Sequence, residues 1–519
     1  MDLFTLSISA SALAPPGLML ITALICLNQT ISKKLLWKAF ALFSGIALLS
    51  TAICPLLQII VPSLAEPALL LPGLKINPLQ SWMAILVQLL GTVIGVFSSR
   101  YLQGERGQAR YIAAFSGVLA SVHMLLLADN WLVLISAWAL IGVILERLLC
   151  FYSERPFALL AAHKKKIADR VADVLLICAG TLAWLEVGSG SLSDLWTYVG
   201  SNGMSTNLQL SAVCLVLAVI LRVALLPVHG WLIQVMEAPT PVSALLHAGV
   251  VNLGGYVLIR FAPLLEQAMP ACTLLVAFGL GTAVLASLVM LTRISIKVRL
   301  AWSTTAQMGF MVLECGLGLY TLAALHLIGH SLYKAHTFLS ASMVVRETRL
   351  QAMRGKVSPI PISLLLAPAL AVMTVMLIQS MLINVAWPWW WSAMLGLAWA
   401  PLLWLPAQRG SIRQICLHAL SGLLMLAGLT ATASLAHLLP FGIHDAPTSV
   451  LGFVALTGMA VLYLCLVTLQ FRPQVLQAWR RCSYAGFYLD EVFTRLALRF
   501  WPTRWTFDAF KTTSTTKSY

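Results

Sequence analysis

The chain is a succession of apolar runs, each long enough to cross about 30 Å of hydrocarbon and parted by short polar loops. About fifteen such runs can be read. They lie near residues 14–29, 38–62, 81–98, 111–128, 131–152, 168–186, 207–226, 243–262, 272–291, 299–318, 321–345, 360–384, 388–406, 414–436 and 449–471. No stretch between them is large enough for a soluble domain. The pattern predicts an all-α, polytopic membrane protein with about 13–15 transmembrane helices.

One region breaks the apolar pattern. The stretch RVALLPVHGWLIQVMEAPTPVSALLHAGVVNLGGYVLIR (Arg222–Arg260) sets Arg222, His229, Glu237 and His247 among residues fit for a bilayer, and interrupts them with Pro227, Pro239 and Pro241. Ionisable groups at such depth cost about 3 kcal/mol each on insertion scales, so they face a protein interior or a wet cavity. Broken helix is tolerated there only where protein or water satisfies the freed backbone groups. The expectation is at least one broken helix in a charge-translocating core.

Composition agrees with the pattern. The chain is 60% hydrophobic and 10% charged, against about 25% charged for soluble domains. A net charge of +15 would suit nucleic acid, but its placement excludes that partner. Lys33 and Lys34, then Arg100, Arg106 and Arg110, then Arg155 and Lys164–Lys166 fall in alternate loops. The series continues with Arg293, Lys297 and Arg299; Arg346, Arg349, Arg354 and Lys356; Arg409 and Arg413; and Arg472, Arg480 and Arg481. Loops 63–80 and 187–206 are nearly free of Lys and Arg. This positive-inside pattern predicts a multi-pass plasma (inner) membrane protein with its N-terminus outside and its C-terminus in the cytoplasm. The first span lacks a basic leader and a cleavage site and reads as retained.

Four segments follow: N-terminal transmembrane helices (1–80), a core rich in ionisable residues (81–350), C-terminal transmembrane helices (351–471) and a cytoplasmic tail (472–519). Between Lys356 and Arg409 there is no Asp, Glu, Lys, Arg or His, which places the functional charges earlier. In the tail, Phe487, Val492, Phe493, Leu496 and Phe500 mark the apolar side of an amphipathic helix, lying along the cytoplasmic interface or on a partner subunit. The ten cysteines contain no CxxC pair and read as apolar packing rather than a disulfide or iron–sulfur framework. A Walker A loop, an HExxH motif and a glycine-rich βαβ fingerprint are all absent from the sequence. That argues against a nucleotide-powered pump or a redox enzyme and predicts no cofactor in this chain.

Three constellations could carry chemistry. Glu146-Arg147 sits two turns beyond Trp138, and a carboxylate beside a guanidinium can hold a proton or simply fix two helices together. Arg222, His229, Glu237 and His247 surround the broken helix. The histidines suit proton exchange near neutral pH, whereas the arginine keeps its proton and serves as an electrostatic partner. His326, His330 and Lys334, spaced i, i+4, i+8, share one helical face and form a polar seam for proton or cation hopping. Their HxxxH spacing lacks a third ligand, so no zinc site is expected there. Lys297 opens a helix at the basic side, Glu314 ends a deep apolar run, and Arg170 and Asp173 sit one turn apart and most simply pair.

WLIQVMEAPTPVSALLHA, SSRYLQGE, LADNW, IKVRLAWSTTAQMGF, HLIGHSLYKAHTFLSAS and the tail's DEVF resemble motifs of one family. It comprises the antiporter-like proton-translocating subunits of respiratory complex I and of multisubunit Na⁺/H⁺ antiporters. The resemblance is good over residues 80–350 and looser elsewhere. It implies an antiporter-like fold and a proton or cation pathway through Glu146, Arg147, Arg222, His229, Glu237, His247, Lys297, His326, His330 and Lys334. Ala139 stands where that family carries a glutamate after the residue matching Trp138, and Arg222 stands at its channel lysine. The lysine of a second broken helix in 360–406 is missing. These departures, with HGWLIQVMEAPTPVSALLHAGVVNLGGYVLIRFAPLL, are similar to the membrane subunits of DAB-type inorganic-carbon accumulation systems. That likeness implies a DabA-like partner resembling a zinc β-carbonic anhydrase. Zinc is then expected in the partner, and a proton or sodium gradient would be coupled by this chain. The alternatives are a subunit of an Na⁺/H⁺ antiporter or NADH dehydrogenase, and a membrane scaffold that anchors a soluble enzyme.

Overall fold

The computed structural model describes residues 3–28, 30–61, 69–341, 359–382, 387–407, 412–472 and 474–503. The helices are α1 (Leu3–Ile25), α2 (Lys33–Ile60), α3 (Pro78–Tyr101), α4 (Gln108–Leu127), α5 (Trp131–Leu149), α6 (Pro156–Val187) and α7 (Leu192–Asn202). They continue as α8 (Thr206–Arg222), α9 (Gly230–Gln234), α10 (Thr240–Ala248), α11 (Leu253–Arg260), α12 (Ala262–Leu265), α13 (Met269–Met290), α14 (Ile296–Gly316) and α15 (Tyr320–Leu339). After the gap come α16 (Pro361–Met381), α17 (Trp389–Trp399), α18 (Ile412–Ala436), α19 (Ser449–Phe471), α20 (Gln477–Tyr484) and α21 (Leu489–Phe500).

Among the described residues ten helical spans are long and apolar enough to cross a membrane, counting α10 and α11 as one. The chain is an all-α, multi-pass integral membrane protein. Helices α6, α14 and α15 are also of crossing length but too polar to meet that standard. These three carry most of the buried ionisable groups, whereas α4 and α10–α11, apolar spans, are the most deeply buried. Loop 346–356 and Arg409 lie outside the described residues.

Local sequence explains where helices begin. Asn77 and Gln80 form a reciprocal capping box at the start of α3, with Pro78 in the first turn. Asn130 caps α5 by accepting from the Leu132 N–H, and Ser205 caps α8 by accepting from Leu208. Where α13 crosses α14 the backbones nearly touch. A Cβ on Gly279 would lie 2.7 Å from the Leu313 nitrogen, the close approach that small residues permit in membranes.

The basic loops gather at one end of the bundle. Arg155 bonds the Glu237 carbonyl at 2.7 Å, Lys297 reaches Thr240 at 3.1 Å, and a His163 ring nitrogen meets the Trp501 carbonyl at 2.8 Å. The loops at the opposite end pair through the bridges Leu74–Ala128 and Asn130–Ser191.

Two sequence expectations change. The run 388–406 is a helix of 11 residues followed by the 3₁₀ turn Ala400–Leu403. At about 1.5 Å per residue the helix reaches only about half of a 30 Å core. Trp390 and Trp391 are buried, whereas Trp389 is exposed. In the tail, α21 packs on α6 through its polar side, while Val492, Leu496 and Phe500 are exposed.

Candidate ion-translocation site

The polar interior is built around two breaks. Helix α8 ends at Arg222, and the chain turns through Ala224, at φ 55°, and a cis Leu226–Pro227 bond into the five-residue α9. Pro239 then precedes α10. The second break carries no proline. Gly249 adopts φ −127° and ψ −74°, and a 3₁₀ turn, Val250–Asn252, joins α10 to α11. Asn252 donates to the Ala248 carbonyl at 3.0 Å and to Ser331 at 2.7 Å. It thereby satisfies a backbone oxygen freed by the break and ties it to α15.

Beside this break lies a set of titratable groups with few charged partners. Glu314 receives His326 Nδ1 at 2.8 Å, and the His326 and His330 rings stand 6.0 Å apart. One turn on, Lys334 has no exposed surface and donates to the Leu300 carbonyl at 3.0 Å and to Ser303 at 2.8 Å. Both are neutral. From α10, His247 stacks on Phe338 at 4.6 Å. Neither ring nitrogen of His247, nor Nε2 of His330, has a hydrogen-bond partner among the described residues.

A second column is fully paired. The Arg222 guanidinium binds Asp173, donates to the Trp138 carbonyl at 2.8 Å and lies over the Trp138 ring at 4.7 Å. Asp173 also lies 2.9 Å from Arg170. One turn back along α6, Asp169 pairs with Lys165. Beside them Lys164 pairs with Asp490 of α21 at 2.6 Å. Lys165, Asp169 and Asp173 repeat at i, i+4 and i+8 and so share one face of α6. That face meets α5 where Gly142 leaves room, since a Cβ there would lie 2.6 Å from Asp169 Oδ2.

The residues singled out in the sequence divide accordingly. His247, His326, His330 and Lys334 come together. Arg222 is buried, with Asp173 as its partner. Glu146 and Arg147 are not a buried pair. Adjacent residues on a helix point about 100° apart, and here Arg147 is exposed while half-buried Glu146 lies 3.4 Å from Lys166. Glu237 sits at the basic end, 3.6 Å from Arg155, and nearly half exposed. His229 is buried against Trp302 at 4.7 Å. Half-buried Lys297 continues through Thr240 to the Tyr101 hydroxyl. Arg170 and Asp173 pair as their spacing suggests. Sequence reasoning passed over Asp169, Lys165 and the Arg260–Asp129 pair at 3.6 Å; the first two were visible in the four-residue spacing of KKKIADRVADV.

Residues 128–356 match the family described as "NADH:quinone oxidoreductase/Mrp antiporter, TM", and 70–112 match "NADH-Ubiquinone oxidoreductase (complex I), chain 5 N-terminus". The chain is 41% identical over 424 residues, 79% of each chain, to "Probable inorganic carbon transporter subunit DabB" of Hydrogenovibrio crunogenus. The chain belongs to the DabB group of the antiporter-like family. A second DabB relative, "Probable inorganic carbon transporter subunit DabB2" of Halothiobacillus neapolitanus, is 36% identical over 94% of both chains. The fold agrees with this DabB assignment. A chain of the Mrp complex from Dietzia matches with a TM-score of 0.59 at 23% identity, over 94% of this chain and 59% of that one. A chain of an archaeal membrane-bound sulfane sulfur reductase matches with a TM-score of 0.60 at 17% identity, covering 93% and 99%. As a DabB-type chain it is a membrane subunit of the ion-translocating kind, and its polar interior falls within the matched segment.

Proposed function

We propose that this subunit conducts protons or sodium ions down their gradient and that the flow drives a zinc-containing, carbonic-anhydrase-like partner to accumulate bicarbonate. The observation that carries the ion-conducting part is the Glu314–His326–His330–Lys334 series beside the Gly249 break, with His247 facing it. A buried lysine held only by neutral oxygens loses the stabilisation that a carboxylate would provide, so it is the group best placed to change charge. Imidazoles on either side, with ring nitrogens that have no hydrogen-bond partner among the described residues in His247 and at Nε2 of His330, can pass its proton on. Glu314 supplies a carboxylate toward the end of the bundle opposite the basic loops. The relatives named as inorganic carbon transporter subunits support the choice of bicarbonate as cargo. The positive-inside rule puts the basic end, and hence the partner's docking side, in the cytoplasm of a cell whose plasma membrane holds the complex.

Uptake of labelled bicarbonate in cells carrying the complex tests this reading. Lys334→Ala abolishes energy-dependent uptake while the complex still purifies at normal yield. Unchanged uptake in that variant removes the relay. Purification of the tagged chain with a soluble zinc protein supports the partner, whereas co-purification with several antiporter-like subunits favours an Na⁺/H⁺ antiporter or respiratory complex.

A further inference from the structure

The tail helix brings a carboxylate into the transport core. Asp490 Oδ1 accepts from Lys164 at 2.6 Å, and its Oδ2 accepts from Gln234 of α9 at 3.1 Å. Lys164 is fully buried, while the Asp490 side chain keeps about a quarter of its surface exposed. Thr494, one turn along α21, gives Lys164 its other contact at 3.1 Å. The pocket is shaped for the carboxylate, because a Cβ on Gly230 would stand 1.4 Å from Asp490 Oδ1. The tail is held there from both sides. Phe487 and Leu489 pack against the cluster of Leu226 and Trp302, and a His163 ring nitrogen contacts the Trp501 carbonyl at 2.8 Å. Asp490 is therefore the one described carboxylate that touches both solvent and a fully buried lysine. Lys164 has Asp490 and Thr494 as its polar contacts.

We propose that Asp490 is the terminal carboxylate of the ion path at the basic end, placed by the tail helix, so that ions pass between solvent and the polar interior at the Asp490–Lys164 pair. The proposal rests on the ion-conducting reading above and extends it to a residue outside the matched family segment. A carboxylate at the mouth supplies a negative charge for an arriving cation and a site to hold a proton, and Lys164 is the first buried group beyond it. The alternative is a structural role, in which Asp490 only neutralises a buried lysine and keeps the tail docked.

The two roles separate in labelled-bicarbonate uptake by cells carrying the whole complex, scored beside the yield of purified complex. Asp490→Asn keeps the size of the group and removes its charge, and uptake falls by about tenfold or more. Asp490→Glu restores a measurable part of it. The double variant Lys164→Gln with Asp490→Asn removes both charges, so no buried ammonium is left unpaired. It assembles even if the single variant does not, and stays inactive. Normal uptake in Asp490→Asn or in the double variant overturns the proposal and leaves a structural ion pair. Lys334→Ala run in parallel tells the two readings apart. If it abolishes uptake while Asp490→Asn does not, only the tail proposal fails. If neither variant lowers uptake, the ion-conducting reading fails with it.

Discussion

Two polar regions share this membrane interior, and they treat charge in opposite ways. Along α6 every cation has an anion. Arg222 and Arg170 share Asp173, Lys165 has Asp169, and Lys164 has Asp490. Along α15, among the described residues, only His326 has a carboxylate, and Lys334, His330 and His247 have none. A paired column holds its charges in place, because separating one buried ion from its partner is costly. A series of imidazoles and a lysine among neutral groups has no such lock, and its protonation can follow the ion that passes. The contrast assigns anchoring and electrostatic bias to the enclosed Arg222–Asp173 and Lys165–Asp169 pairs and exchange to the α15 series, with the Asp490–Lys164 pair, where Asp490 touches solvent, set apart as the mouth. Arg222 fits the first role, since its guanidinium cannot give up a proton.

Thermal unfolding of the detergent-solubilised chain breaks or sharpens that contrast. The largest loss is expected for Arg222→Ala, which leaves Asp173 with only the half-exposed Arg170 as partner and costs about 3 kcal/mol, the low end for breaking a buried pair. Replacing both partners, Arg222→Met with Asp173→Leu, recovers most of that loss; a double variant as unstable as the single one would break the assignment of this column to anchoring. Gly230→Ala comes next, at about 1–3 kcal/mol, because its Cβ meets the Asp490 carboxylate and displaces the tail. His247→Leu is expected to change stability by less than about 1.5 kcal/mol, since it removes buried nitrogens that have no protein partner. Bicarbonate uptake nevertheless falls in that variant, and normal uptake there would take His247 out of the exchange series. Glu146→Gln has the smallest effect, within about 1 kcal/mol, because its contact with Lys166 is long and largely exposed.

Much of the architecture was legible along the chain. Apolar run length marks the membrane helices, and Pro227 and Pro239 mark the first break. The four-residue spacing of His326, His330 and Lys334 places them on one face before any fold is known. The second break was not legible, because Gly249 in HAGVVNLGG lies in a run that reads as continuous helix. Glu146 and Arg147 drew attention by adjacency in sequence, yet adjacency on a helix sends side chains in different directions. Asp173 was legible only as a local partner of Arg170; its bond to Arg222 joins helices 49 positions apart in the chain. Asp490 was hidden for a similar reason. A charged residue on an amphipathic helix reads as solvent-facing, and only the packed fold shows it reaching Lys164.

The central claim is that Lys334 works by exchanging a proton rather than by carrying a fixed charge. Lys334→Arg tests this most directly, because arginine keeps the positive charge and the reach but holds its proton. With the purified complex in vesicles, gradient-driven proton flux is followed with a pH-sensitive dye. The account predicts that Lys334→Arg assembles and is as inactive as Lys334→Ala. Flux near the unsubstituted level in Lys334→Arg would contradict it.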